Sequence, residues 1–200
     1  MKKFLYLISP KKIDANFYFR LKKVLKSKKF SFFQLRLKKT SSNKTIKVGK
    51  KIKTITDKFK VKLIVNDNPK IAKKIGAEGC HIGQSDISFS SARKILKKKI
   101  IGMTCHGSTK LVDRAIKDSA DYIAIGSFFK SSLKPNAKKA NLKIIKRTRK
   151  KTRIPIVAIG GITNKNYKKL MSLGANYIAI SSFIWNNPSL KPEVAIKKFK

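Results

Sequence analysis

The chain has 200 residues, 42% of them hydrophobic, which suits one domain, residues 1–200, with a sizeable core. Its 50 lysines and arginines against nine acids give a net charge of +41, so anionic partners are favoured and each carboxylate is rare enough to notice. No apolar run reaches the roughly 18 residues of a membrane span, and two cysteines, Cys80 and Cys105, without metal-ligand spacing read as reduced thiols in a cytoplasmic protein.

MKKFLYLISP has the basic start of an export signal, but its apolar run is short and no small-residue cleavage site follows. Phe4–Ile8 is therefore read as strand one, ending at Ser9-Pro10. Phe17, Leu21, Val24 and Leu25 recur at helical spacing. Phe30–Leu37 is strand two; its tail alternates, so Gln34, Arg36 and Lys38 share one face. Ser41–Asn43 caps a helix running to about Phe59. Leu63–Val65 is strand three, Pro69–Gly76 a helix and Cys80–Ile82 strand four. Ser88 caps the helix through Leu96, and Ile100–Met103 is strand five, followed by a helix near Thr109–Asp118. Tyr122–Ile125 is strand six, within SADYIAIGSF, and GANYIAISSF at Gly174–Phe183 is a near copy holding strand eight, which suggests a repeated βα unit. Between them lie a polar loop at Lys130–Lys139, a helix near Leu142–Lys150, strand seven at Ile154–Ile159, and a helix near Asn164–Leu173. Pro188–Phe199 closes the chain as a last helix. Strands alternating with helices, apolar and β-branched throughout, predict a parallel sheet buried on both faces. The fold class is α/β, a single (β/α)8 TIM barrel, with an open doubly wound sheet as the alternative.

Asp67 and Asp86 follow strands three and four, the edge where ligands bind in such folds. A hard cation such as Mg²⁺ takes one or two carboxylates plus substrate phosphate; the alternative is that the two aspartates only cap helices. Arg36 and Lys38 suit an anion, or else lie past the rim in water. Gly160-Gly161 after strand seven and Ser181-Ser182 after strand eight fit the phosphate corner of a barrel, or a tight turn and a cap. Ser131, Ser132 and Lys134 lie in the polar loop after strand six. His81, inside strand four, reads as core, and His106, after strand five, is the better placed of the two histidines to meet a ligand. The lysines are spread over nearly every helix rather than gathered in one block, which argues against nucleic acid as the main partner and for small phosphorylated molecules. No membrane partner is expected, and a homo-oligomer is left open.

Taken together, FQLRLK at Phe33–Lys38, Asn66-Asp67, HIGQSD at His81–Asp86, GSFFKSSLK at Gly126–Lys134, PIVAIGGI at Pro155–Ile162 and AISS at Ala179–Ser182 resemble the thiamine phosphate synthase family, whose relatives the thiazole tautomerases share the barrel. The resemblance implies that a pyrimidine diphosphate and a thiazole phosphate are joined to thiamine phosphate and pyrophosphate. It implies that Gln34, Arg36, Lys38, Asn66 and Lys134 hold the pyrimidine diphosphate, with Arg36, Lys38 and Lys134 as the catalytic cations. Thr104 stands where the family has a serine. Asp67 and Asp86 would hold Mg²⁺, and Gly161, Ser181, Ser182 and Ser131 the thiazole phosphate. Leu133 and Asn68 also depart from the family pattern, standing in place of a threonine and an arginine. The alternatives are a thiazole phosphate tautomerase, which the retained Asp86 disfavours, and a non-catalytic basic protein binding phosphate or nucleic acid.

Overall fold

The computed structural model describes residues 3–130 and 138–200. Eight parallel strands pair in sequence order, and the first pairs with the last, so the sheet closes on itself. They are β1 (Leu5–Ile8), β2 (Phe30–Leu35), β3 (Lys62–Asn66), β4 (Gly79–Ile82), β5 (Ile100–His106), β6 (Tyr122–Ile125), β7 (Ile156–Ile159) and β8 (Tyr177–Ile180). Helices α1 (Phe17–Leu25), α2 (Ser42–Lys58), α3 (Pro69–Ile75), α4 (Phe89–Leu96), α5 (Thr109–Lys117), α6 (Lys143–Lys151) and α7 (Tyr167–Ser172) follow the first seven strands. Two one-turn helices, α8 (Ser182–Trp185) and α9 (Pro192–Ala195), and a 3₁₀ turn at Ile196–Lys198 follow β8. This is the (β/α)8 barrel expected, and closure excludes the open sheet.

Alternation along each strand divides the apolar residues into two cores. Outward residues such as Leu5, Leu7, Phe33, Leu63 and Ile123 pack under the helices. Inward ones, Tyr6, Phe32, Ile64, Tyr122, Val157 and Ala179, fill the barrel. Gly102 faces Tyr122 in register, and a Cβ there would lie 1.9 Å from the phenol ring, so glycine makes room for that ring.

Several boundaries differ from the sequence reading. β2 stops at Leu35, because its neighbour β1 ends at Ser9-Pro10 and the Arg36 N–H turns to Ser9 Oγ at 2.9 Å. β5 runs on to His106, and β7 starts only at Ile156. The expected closing helix from Pro188 is replaced by α9 and the 3₁₀ turn, since Pro192 cannot lie inside a helix and instead starts one. The one-turn α8 was not expected from the sequence.

The SADYIAI/GANYIAI repeat has a structural cause and a third member at Gly76–Ile82. Before β4, β6 and β8 the helix ends on a residue with positive φ, Gly76, Ser119 or Gly174. A buried alanine follows, Ala77, Ala120 or Ala175, whose N–H reaches back to Ala72, Ala115 or Leu170 O. The next residue, Glu78, Asp121 or Asn176, accepts the N–H of Leu63, Ile101 or Ile156 at 2.7, 2.8 and 2.9 Å. Each of those acceptors also takes a cation from a helix: Lys53, Arg93 or Arg149. The same clamp thus fastens three strand entries at the closed end of the barrel.

The two forms of the clamp, acid and amide, allow a comparison within one molecule. Asp121→Ala leaves the Ile101 N–H without its partner and takes the carboxylate from Arg93 Nη2, and is expected to destabilise the fold by about 2 kcal/mol. Asp121→Asn, which copies Asn176, is expected to lose less than half of that. Chemical unfolding of both variants tests this, and equal losses would refute the clamp.

Candidate active site

The opposite end of the barrel opens into a cavity of about 1160 Å³. Of the residues singled out in the sequence, Gln34, Arg36, Lys38, Asn66, Asp67, Asp86, Thr104, Gly161, Ser181 and Ser182 all line it. Ser131 and Lys134 lie outside the described residues, as do Ser132 and Leu133.

The aspartates do not cap helices. The α3 cap is Asn68, whose Oδ1 accepts from Ile71 N at 3.0 Å, and the α4 cap is Ser88, accepting from Ser91 N at 3.2 Å. That gives Asn68 a local role an arginine would not serve. Asp67 adopts φ +64°, a left-handed turn that aspartate tolerates, and its N–H bonds His81 O at 2.8 Å. The turn releases its side chain from the helix and gives it to the cavity. Asp86 Oδ2 accepts the Gly83 N–H at 2.7 Å, which pins the loop after β4.

The Asp86 carboxyl acts directly on that of Asp67. Burial, then a hydrogen bond with Asp86 and its charge, push the Asp67 carboxyl up to about 6, while Lys38 and Arg36 pull the other way. The Lys38 ammonium is 3.8 Å from Asp67 Oδ2. Among the described residues, every acid except Asp86 has a lysine or arginine within 4.0 Å. In a chain of charge +41 that exception is informative. No group of three or more His, Cys, Asp or Glu comes together among the described residues. A cation at this pair would therefore take two protein carboxylates and complete its shell from water and substrate, as Mg²⁺ commonly does.

Arg36 and Lys38 sit past the end of β2 rather than on it, Lys38 with a side chain 60% exposed. Only Gln34 is on the strand, and it is buried. Across the mouth, Gly160 and Gly161 have φ +104° and +61°. A Cβ on Gly161 would lie 2.1 Å from Lys130 O, and one on Gly160 2.0 Å from Ser127 Oγ. Phe128 and Phe129 N–H donate to Ile159 and Gly160 O at 3.1 and 3.0 Å. The glycine pair therefore admits the loop after β6 against the loop after β7, a use the sequence did not suggest. Ser181 Oγ donates to Ser9 O at 3.2 Å and Trp185 Nε1 to Ile8 O at 2.7 Å, which ties α8 across the β1 exit.

Three further lining groups were missed: Tyr6, Tyr122 and His81. His81 is not simply core. Its ring touches Tyr122 Oη at 2.9 Å and Thr104 Oγ1 at 2.7 Å. The signal was its inward register on β4, two residues from Gly79, in a strand otherwise apolar. His106, the expected ligand-facing histidine, closes β5 and also lines the cavity.

Residues 5–184 match the protein family described as "Thiamine monophosphate synthase". The chain belongs to this family. It is 55% identical to the thiamine-phosphate synthase of Pelagibacter ubique over 200 residues, covering all of this chain and 97% of that one. It is 40% identical to that of Saccharophagus degradans over 151 residues, 75% of this chain and 70% of that one. The solved thiamine phosphate pyrophosphorylase of Pyrococcus furiosus superposes with a TM-score of 0.88 at 24% identity, covering 98% and 93% of the two chains, which is a likeness of fold. The 3-hexulose-6-phosphate synthase of Salmonella typhimurium gives 0.73 at 13% identity, over 98% and 96%, again the fold alone.

The raised Asp67 pKa has a direct consequence for stability. A carboxyl shifted upward in the folded state favours folding while protonated, and that contribution is lost as pH rises through about 6. Asp67→Asn, which cannot ionise, is expected to gain on the parent by about 1 kcal/mol between pH 4 and pH 7, allowing for solvent screening. Paired urea titrations across that range measure it, and a difference independent of pH would contradict the upward shift at Asp67.

Proposed function

We propose that residues 1–200 act as one barrel domain that binds a pyrimidinylmethyl diphosphate and a thiazole phosphate in the same cavity. The reaction is the thiamine-phosphate synthase condensation: the thiazole nitrogen is alkylated, the methylene–oxygen bond breaks, and pyrophosphate leaves. The observation that carries the site assignment is that the acidic pair, the cationic arm after β2 and the β7–β8 corner line one cavity.

In this reading the β2–β5 side takes the pyrimidine diphosphate. Gln34 and Asn66 orient it by hydrogen bonds, Arg36 and Lys38 face its phosphates, and Lys134 joins them from the loop after β6. Thr104 adds a hydroxyl from the interior. Gly161, Ser181 and Ser182 take the thiazole phosphate, with Ser131, where barrels of this kind place a phosphate beside a short extra helix. The strand order puts that corner across the barrel from β3 and β4, so the two substrates meet over the centre.

Departure of the diphosphate leaves a pyrimidinylmethyl cation stabilised by the ring's amino group, and negative charge grows on the leaving group. Fixed guanidinium and ammonium groups beside those oxygens lower the barrier without reorganising. No general base is required, and positioning of the thiazole nitrogen supplies much of the remainder. Asp67 and Asp86 fit Mg²⁺ as oxygen donors whose mutual repulsion is relieved by a dication. When bound, Mg²⁺ would neutralise charge on the diphosphate. The lysine-rich exterior is read as solvated helix faces, with small phosphorylated molecules rather than nucleic acid as the main partners. Among the described residues no helix is long and apolar enough to cross a membrane.

Asp86→Asn keeps the size of the side chain and removes its charge. Pyrophosphate release with both substrates is expected to fall by at least about 100-fold, with little change in thermal unfolding. Near-normal turnover would remove Asp86 from the account.

A further inference from the structure

Beneath the mouth, five side chains from five strands form one continuous hydrogen-bonded chain. Gln34 Nε2 donates to Tyr6 Oη at 3.0 Å, and the Tyr6 and Tyr122 hydroxyls are 2.8 Å apart. Tyr122 Oη lies 2.9 Å from His81 Nδ1, and His81 Nε2 lies 2.7 Å from Thr104 Oγ1. Tyr6, Gln34, His81 and Tyr122 are buried. The assignment above uses the two ends of this chain and leaves the three middle members without a role.

Hydrogen counting gives the chain a direction. An amide nitrogen only donates, so Tyr6 Oη accepts from Gln34; the Tyr6 hydrogen is itself buried and needs an acceptor, and among the described residues Tyr122 Oη is the one in reach, so Tyr6 donates to Tyr122. Tyr122 passes its own to His81 Nδ1, which must then be bare. The ring hydrogen therefore sits on Nε2 and points at Thr104 Oγ1. Thr104, accepting from the ring, has its own hydrogen left to give. Burial raises both phenols well above their ordinary range, so both keep the hydrogen that the relay needs. A cationic imidazole would donate from both nitrogens and set Tyr122 against the direction imposed by Gln34.

We infer that His81 is a positioning residue: a neutral imidazole carrying its hydrogen on Nε2, whose bond to Thr104 Oγ1 turns that hydroxyl into a donor aimed at an acceptor atom of the pyrimidine diphosphate. The choice of ligand rests on the function proposed above; the direction of the relay does not. The same relay leaves the Gln34 carbonyl oxygen as an acceptor, so the two ends offer opposite hydrogen-bonding partners to one bound molecule.

The chain has only two histidines, which makes a spectroscopic test direct. Nitrogen-15 NMR of the labelled full-length protein, with His106→Gln to assign the resonances, is expected to show His81 neutral with the hydrogen on Nε2. A hydrogen on Nδ1, or an imidazolium at neutral pH, would reverse or break the relay and overturn the inference. Kinetics give the second readout. Thr104→Val is expected to raise KM for the pyrimidine diphosphate about tenfold and leave KM for the thiazole phosphate unchanged. His81→Phe is expected to raise the same KM about fivefold, and His81→Gln, which restores an N–H near the Nε2 position, to recover most of it. The His81→Phe/Thr104→Val double variant should be no worse than Thr104→Val alone; multiplying effects would mean that His81 acts independently of Thr104. A parent protein without synthase activity would sink the proposed function, while the NMR result would still decide the relay.

Discussion

Two carboxylates brought together at a half-buried mouth repel one another, and the rest of this site is arranged around that repulsion. Asp67 and Asp86 are left to face the cavity because Asn68 caps α3 and Ser88 caps α4, the work that aspartates often do. Asp86 lacks an ammonium or guanidinium partner within 4.0 Å among the described residues, although 50 such groups are in the chain. Lys38 and Arg36 soften the repulsion without cancelling it, since Asp67 still holds its proton to about 6. Such a pair is poorly satisfied by itself and well satisfied by a dication that also holds a phosphate. The same pair therefore connects the fold, which sets the two strand exits side by side, to the chemistry, which needs negative charge stabilised there.

The barrel divides its polar residues by end. At the closed end, Glu78, Asp121 and Asn176 each fasten a strand N–H and a helix cation in one repeated clamp. At the open end, the equivalent strand exits carry unlike residues, each suited to a different part of a ligand. Between the two lie the aromatic filling and the Gln34–Thr104 relay, where polar groups survive burial because each finds a partner. Stability is thus concentrated in repeated units and function in the positions where the units differ.

Much of this was legible in the amino-acid sequence because strand and helix periods are local. Short β-branched runs marked the strands, and Asp67 and Asp86 could be placed at strand exits by counting along the chain. Serine caps were equally plain at Ser41 and Ser88. What stayed hidden depends on contacts between distant residues. Strand β2 ends where its neighbour β1 runs out, not where its own pattern changes. Gly160 and Gly161 answer to backbone at Ser127 and Lys130, more than thirty positions earlier in the chain. His81 read as core because a lone histidine in an apolar strand gives no sign of Tyr122 and Thr104, which come from two other strands.

The account stands on the acidic pair sharing one divalent ion. Anomalous diffraction from crystals soaked with Mn²⁺ and pyrophosphate tests it most directly. The account predicts a single strong anomalous peak in contact with one oxygen of Asp67, one of Asp86 and the pyrophosphate, absent from Asp86→Asn crystals treated alike. A peak that sits elsewhere in the cavity, or that persists unchanged without the Asp86 carboxylate, would contradict it.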